Sequence, residues 1–67
     1  MKLSVREHAV WNLVVLGYSD KEIGIKLNIA YGTVRTYIDR GILKLNARNR
    51  VNAAVIFYVL SGMNLNQ

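Results

Sequence analysis

The segment Ile29–Asn46, IAYGTVRTYIDRGILKLN, decides how the rest of the chain is read. Val34, Ile38, Ile42 and Leu45 recur at i, i+4, i+8 and i+11, the spacing of one apolar stripe on an α-helix, with Tyr37 beside it. Gly32, Arg35, Thr36 and Asp39 fall off that stripe. The spacing predicts a helix from about Tyr31, polar and solvent-facing in its N-terminal half and anchored through its apolar side. Asn46 is placed to close it in the left-handed conformation.

On the N-terminal side, Ser19 and Glu22 have capping-box spacing: the serine oxygen accepts from a free N–H three residues on, and the glutamate reaches back. A short helix starts there, with Ile23 and Leu27 toward the core and Lys21 and Lys26 directed elsewhere. Gly24 is expected to let another helix approach, and Asn28 to stop this one. Ser4 and Glu7 repeat the box one helix earlier, where Val10, Trp11, Leu13, Val14 and Leu16 form the stripe and Gly17 the end. Trp11 is assigned to the core and His8 to the surface. A short helix, a tight turn and a longer helix from about Tyr31 make a helix-turn-helix.

On the C-terminal side, Asn49 caps a fourth helix whose body, Val51 to Leu60, is apolar nearly all round apart from Asn52 and Tyr58. Ser61-Gly62 ends it, and residues 62–67 read as a loose tail. One face, Ala53, Ala54, Phe57 and Leu60, is expected to cover the first and third helices. A second, Val51, Val55, Tyr58 and Gly62, with Val59 beside it, would be left in water, and is assigned to a dimer contact.

Sixty-seven residues make one domain, and a domain this small buries only about 60% of the surface its unfolded chain exposes, so a partner is expected to help stabilise it. Nine Lys and Arg against four Asp and Glu give a net charge of +5, which favours an acidic partner, nucleic acid or an anionic surface. Seven of the nine basic residues lie between Lys21 and Arg50, accompanied by only Glu22 and Asp39, and no charge follows Arg50. The absence of cysteine removes disulfides and thiolate metal sites, and the single His8 cannot hold a metal alone, so no cofactor is expected. Nothing reads as a nucleophile with its base, a carboxylate pair in a cleft or a glycine-rich phosphate loop, so the chain is not read as an enzyme. Val51 to Leu60 is far short of the roughly 20 residues needed to span a membrane. Val10 to Leu16 is interrupted by Asn12 and lacks a signal-peptide pattern, so a cytoplasmic protein is expected.

Four groups of residues carry a resemblance to a known family: Leu3-Ser4-x-Arg6-Glu7, Gly17-Tyr18-Ser19-x-Lys21-Glu22-Ile23, Ile29-x-x-x-Thr33-Val34-Arg35-Thr36, and Lys44-Leu45-x-x-Arg48-Asn49-Arg50. Together, and without a gap from Leu3 to about Ala54, they resemble the helix-turn-helix domain of the LuxR/GerE type. The resemblance implies an all-α, four-helix DNA-binding module. It leaves no room for the sensor domain such modules usually follow, so a stand-alone, GerE-like member is expected. Departures stand at Ala30, where the family has a capping serine; at Gly41, usually aliphatic; at Leu43, usually polar; and at Asp39, often a polar or base-contacting residue.

The resemblance implies phosphate contacts at Lys21, Thr33 and Lys44, joined by Tyr31 and Arg48. Two of these have structural alternatives: core packing against the second helix for Tyr31, and capping or structuring the turn for Arg48 together with Arg50. Base reading is assigned to Arg35, whose fork fits guanine O6 and N7, to Thr36, and to Asp39 as an acceptor from cytosine. The alternatives for Asp39 are repulsion of phosphate, which would lower affinity, and an i,i+4 surface pairing with Arg35. Tyr37 is assigned to packing. The expectation is a transcriptional regulator that binds double-stranded DNA as a homodimer on inverted repeats with half-sites roughly 34 Å apart. The alternative is a small interaction protein that pairs through its fourth helix with a larger LuxR-type regulator. Contact with RNA polymerase is compatible with either.

Overall fold

The computed structural model describes residues 2–62 as four helices: α1 (Val5–Val15), α2 (Asp20–Leu27), α3 (Tyr31–Lys44) and α4 (Arg50–Ser61). Local side-chain chemistry sets where three of them begin. Both capping boxes form: Ser4 Oγ accepts from Glu7 N–H at 3.1 Å while Ser4 N–H donates to Glu7 Oε1 at 2.9 Å, and Ser19 and Glu22 repeat the pattern at 3.2 and 2.8 Å. At α4, Asn49 Oδ1 accepts from Asn52 N–H at 2.8 Å, and Asn52 Oδ1 accepts from Arg48 N–H at 3.0 Å. Helix α3 begins at Ala30 with no side-chain cap, as the alanine dictates.

Three helices close alike. Gly17, Asn28 and Asn46 take positive φ, and the next residue turns its N–H back into the helix: Tyr18 to the Leu13 carbonyl, Ile29 to Gly24 and Ala47 to Ile42, at 3.0–3.1 Å. These bonds satisfy carbonyls that a helix end leaves open, and they fix the angle at which the chain departs. The turn between α2 and α3 is therefore set by backbone geometry before any packing.

Helices α1 and α3 form the central pair; α2 and α4 each pack on both and not on each other. The core is Val10, Trp11, Ile23, Val34, Ile38, Leu45, Ala53 and Phe57. Gly41 is part of it. A Cβ at that position would fall inside the van der Waals envelope of the Trp11 indole nitrogen and ring, so the departure at 41 is matched by the bulk of Trp11. The nitrogen edge of the indole takes the space where an aliphatic side chain would otherwise stand. Its Nε1–H is buried with no acceptor, a cost of about 1–3 kcal/mol borne for that fit.

Some expectations need correction. Leu60 does not cover α1 and α3: it is 57% exposed, while Ala53 and Phe57 fill the core and Ala54 and Ile56 pack beside them. His8 is not a surface residue. It is half-buried against α4, its ring 4.9 Å from that of Phe57 in an edge arrangement and its Nδ1 3.4 Å from Asn12 Nδ2. At Gly24 another helix does come near, since a Cβ there would stand 3.6 Å from Val34 Cγ2 and 4.0 Å from the Tyr31 nitrogen of α3, although the turn comes nearer still, with the Ile29 carbonyl oxygen at 2.9 Å. Gly62 closes α4 at φ +71 and is not tail, whereas residues 63–67 lie outside the described residues. Among the described residues no helix is long and apolar enough to cross a membrane.

Candidate nucleic-acid interface

With Val34, Ile38, Gly41 and Leu45 buried, the helical period turns Tyr31, Gly32, Arg35, Thr36, Asp39, Arg40 and Leu43 to solvent. The base-reading candidates Arg35, Thr36 and Asp39 thus share one exposed face of α3, and Thr33 is half-buried at its edge. Thr36 Oγ donates to the Gly32 carbonyl at 3.0 Å, which leaves its lone pairs and methyl outward. Asp39 lies within ion-pair distance of no cation among the described residues, so the i,i+4 pair with Arg35 does not form.

Arg35 is held from the other direction. Its Nη1 donates to the Tyr31 hydroxyl at 3.3 Å, and its Nε lies 3.7 Å from Asp20 Oδ2 at the start of α2. These partners raise the guanidinium above its ordinary value, the Tyr31 hydrogen bond contributing most. Tyr31 is exposed and does not pack into the core. It lines, with Lys21, Gly24, Ile25, Asn28 and Ile29, an open groove of about 450 Å³ along the turn. The structure therefore brings Lys21 and Tyr31 to one edge of the α3 face.

Lys44 stands at the far end of α3, nine residues and about 13 Å along the axis from Arg35. Its Nζ is 2.7 Å from Glu7 Oε1, and Glu7 is only 2% exposed. Burial raises the Glu7 carboxyl, but the Lys44 hydrogen bond and the Ser4 backbone N–H outweigh it, and the net displacement is downward. Lys44 thus ties α3 to the first turn of α1, with its side chain 41% exposed. Arg48 is exposed and enters the α4 cap through its backbone N–H alone. Arg50 has a definite structural role: its Nη1 lies 2.6 Å from Asp20 Oδ1, outside hydrogen-bonding angles, so the attraction is that of an ion pair.

On α4, Val51, Val55, Val59 and Gly62 are exposed and Tyr58 is half-buried. Val55 and Tyr58 join Val14, Val15 and Ala54 in an apolar groove of about 300 Å³ between α1 and α4. Sequence reasoning missed two residues that organise these surfaces. Asp20 was invisible beside the capping Ser19, and Glu7 was read only as half of a capping box. Exposed Ile25 carried a weak signal, being out of phase with Ile23 and Leu27.

Comparison with known proteins agrees with this geometry. A family model described as GerE, bacterial regulatory proteins, luxR family, matches residues 1–57. The chain is 48% identical over 54 residues to an uncharacterised transcriptional regulatory protein, YvfU, of Bacillus subtilis, covering 81% of this chain and 27% of that one. It is 45% identical over 51 residues to the transcriptional regulatory protein DesR of the same organism, covering 76% and 26%. The chain thus spans about a quarter of the length of these relatives. Among solved structures, the transcription factor GerE superposes with a TM-score of 0.85 at 36% identity, over 94% of each chain. A four-helix fold with its polar face on α3, matched along most of its length by that family, places this chain in the luxR family of bacterial regulatory proteins as a GerE-type domain.

Proposed function

We propose that this chain is a sequence-specific, double-stranded-DNA-binding transcriptional regulator of the cytoplasm that acts as a dimer through α4 on inverted-repeat sites. One observation carries the reading: α3 presents Arg35, Thr36 and Asp39 together on one exposed face, with Lys44 at its C-terminal end and Lys21 of α2 in the groove beside its N-terminal end. Phosphate contacts fix register and base contacts carry sequence information. Lys21, Tyr31, Thr33, Lys44 and Arg48 are proposed for the first role, and Arg35, Thr36 and Asp39 for the second. The missing cap at Ala30 fits, because it leaves N–H groups at the start of α3 free to meet a phosphate.

The apolar face of α4 supports the dimer, and equally a pairing with the α4 of a larger regulator in the family. A gel-shift titration of the whole chain over a salt series, on duplexes enriched by the protein from a randomised pool, tests the proposal. Binding should weaken by about 0.9 log unit per log unit of salt for each phosphate neutralised. Sedimentation of the free protein should show a dimer that Val55→Lys dissociates. Failure to enrich any duplex, with the protein found instead in a tight complex with a second regulator, would favour pairing.

A further inference from the structure

Asp20 is a carboxylate between two arginines. Its side chain is 13% exposed, with one oxygen 2.6 Å from Arg50 Nη1 and the other 3.7 Å from Arg35 Nε. The two arginines come from different helices, and α2 and α4 do not otherwise pack on each other. Arg50 therefore fixes where Asp20 stands. A carboxylate held on one side by a partner from another helix cannot follow Arg35 if that side chain moves, so it acts as a stationary post. Arg35, 54% exposed, meets this post with its Nε edge. The Nη1 group has a different partner, a tyrosine hydroxyl at 3.3 Å, a long neutral contact that a better acceptor displaces.

From this geometry we infer that Asp20 is a positioning residue for DNA reading: it steers the guanidinium of Arg35 through Nε, so that the two Nη groups are presented as a fork to the two acceptors of a guanine edge. The inference rests on Arg35 being the base reader. A freely rotating arginine binds any nearby phosphate about as readily as a base, whereas one whose plane is fixed favours bidentate recognition. The fixed negative charge acts in the same direction, because it lies near the DNA and opposes binding wherever Arg35 finds no base to contact. Asp20 thus raises selectivity at some expense to general affinity. A carboxylate that merely anchored α2 to α4 would do neither.

The test measures affinity for the duplex enriched by the wild-type chain and for a scrambled duplex of the same composition. The proteins are wild type, Asp20→Asn, Arg35→Ala, Arg35→Lys and the double variant Asp20→Asn/Arg35→Ala. Asp20→Asn should lower the ratio of the two affinities about five- to tenfold, the size of a coupling between residues in contact, while binding to the scrambled duplex tightens. Arg35→Lys keeps the charge but has no Nε to hold, and should lose selectivity although Asp20 is in place. In the Arg35→Ala background, Asp20→Asn should leave the ratio unchanged. If Asp20→Asn weakens both duplexes equally, or leaves the ratio intact while Arg35→Ala collapses it, Asp20 is structural and the inference is overturned, with base reading by Arg35 still standing. If Arg35→Ala itself leaves the ratio intact, the reading beneath it falls and the inference with it.

Discussion

The two halves of α3 obey opposite rules. From Ile38 onward the helix is locked: Gly41 sits flush on the Trp11 indole, Leu45 is buried, and Lys44 is pinned to a buried glutamate. From Tyr31 to Thr36 the helix starts without a cap, and apart from Val34 and the half-buried Thr33 its side chains face solvent. A single rigid rod thus has one end committed to the fold and the other open to solvent. Under the proposed function, that arrangement gives a small domain a recognition element without a dedicated support, since the locked half orients the open one.

The largest expected effect lies in the locked half. Trp11→Ala should cost about 3–5 kcal/mol, a large share of the stability of so small a domain, measured by urea unfolding. Gly41→Ala breaks the same fit from the other side. Alanine is normally worth about 1 kcal/mol over glycine in a helix, yet overpacking against Trp11 should make this variant less stable by about 1–3 kcal/mol. A variant as stable as the wild type would show that the indole yields and that the lock is weak.

The pin at Glu7 makes a pH-dependent contribution. Its carboxyl titrates below its ordinary value of 4.5 in the folded protein, so the stability it adds is fully present above that value and is lost as pH falls through the lower, folded value. Thermal melts should therefore show an acid limb below about pH 4.5 that flattens in Glu7→Gln. An unchanged limb in that variant would assign acid loss to other carboxylates. The smallest effect belongs to the open half. Ala30→Ser should restore a cap and stabilise the domain by about 1 kcal/mol in the same unfolding assay. No gain would mean that the first turn of α3 is already satisfied.

Much of the fold was legible because it is written in short range. Ser4 with Glu7, Ser19 with Glu22 and Asn49 before its helix are local signals, and the stripe through Val34, Ile38 and Leu45 fixes which side of α3 is buried. The same stripe makes the candidate face legible, since Arg35, Thr36 and Asp39 are what it leaves out. Contacts between distant residues were not legible. Nothing near Gly41 announces a tryptophan thirty positions earlier, and nothing near Lys44 announces Glu7. Asp20 has the same character, because its meaning comes from Arg35 and Arg50, which only the packed helices bring together. Leu60 failed for the converse reason: helical phase says which way a residue points, not whether a neighbour extends far enough to cover it.

The central claim, that the open half of α3 reads sequence, is tested most directly by Arg35→Ala on two duplexes, the one the protein enriches and a scrambled control. The account predicts a loss of about 1–3 kcal/mol on the enriched duplex, with relaxed selectivity at one base pair and little change on the control. Equal losses on both would make Arg35 a phosphate contact and contradict the claim.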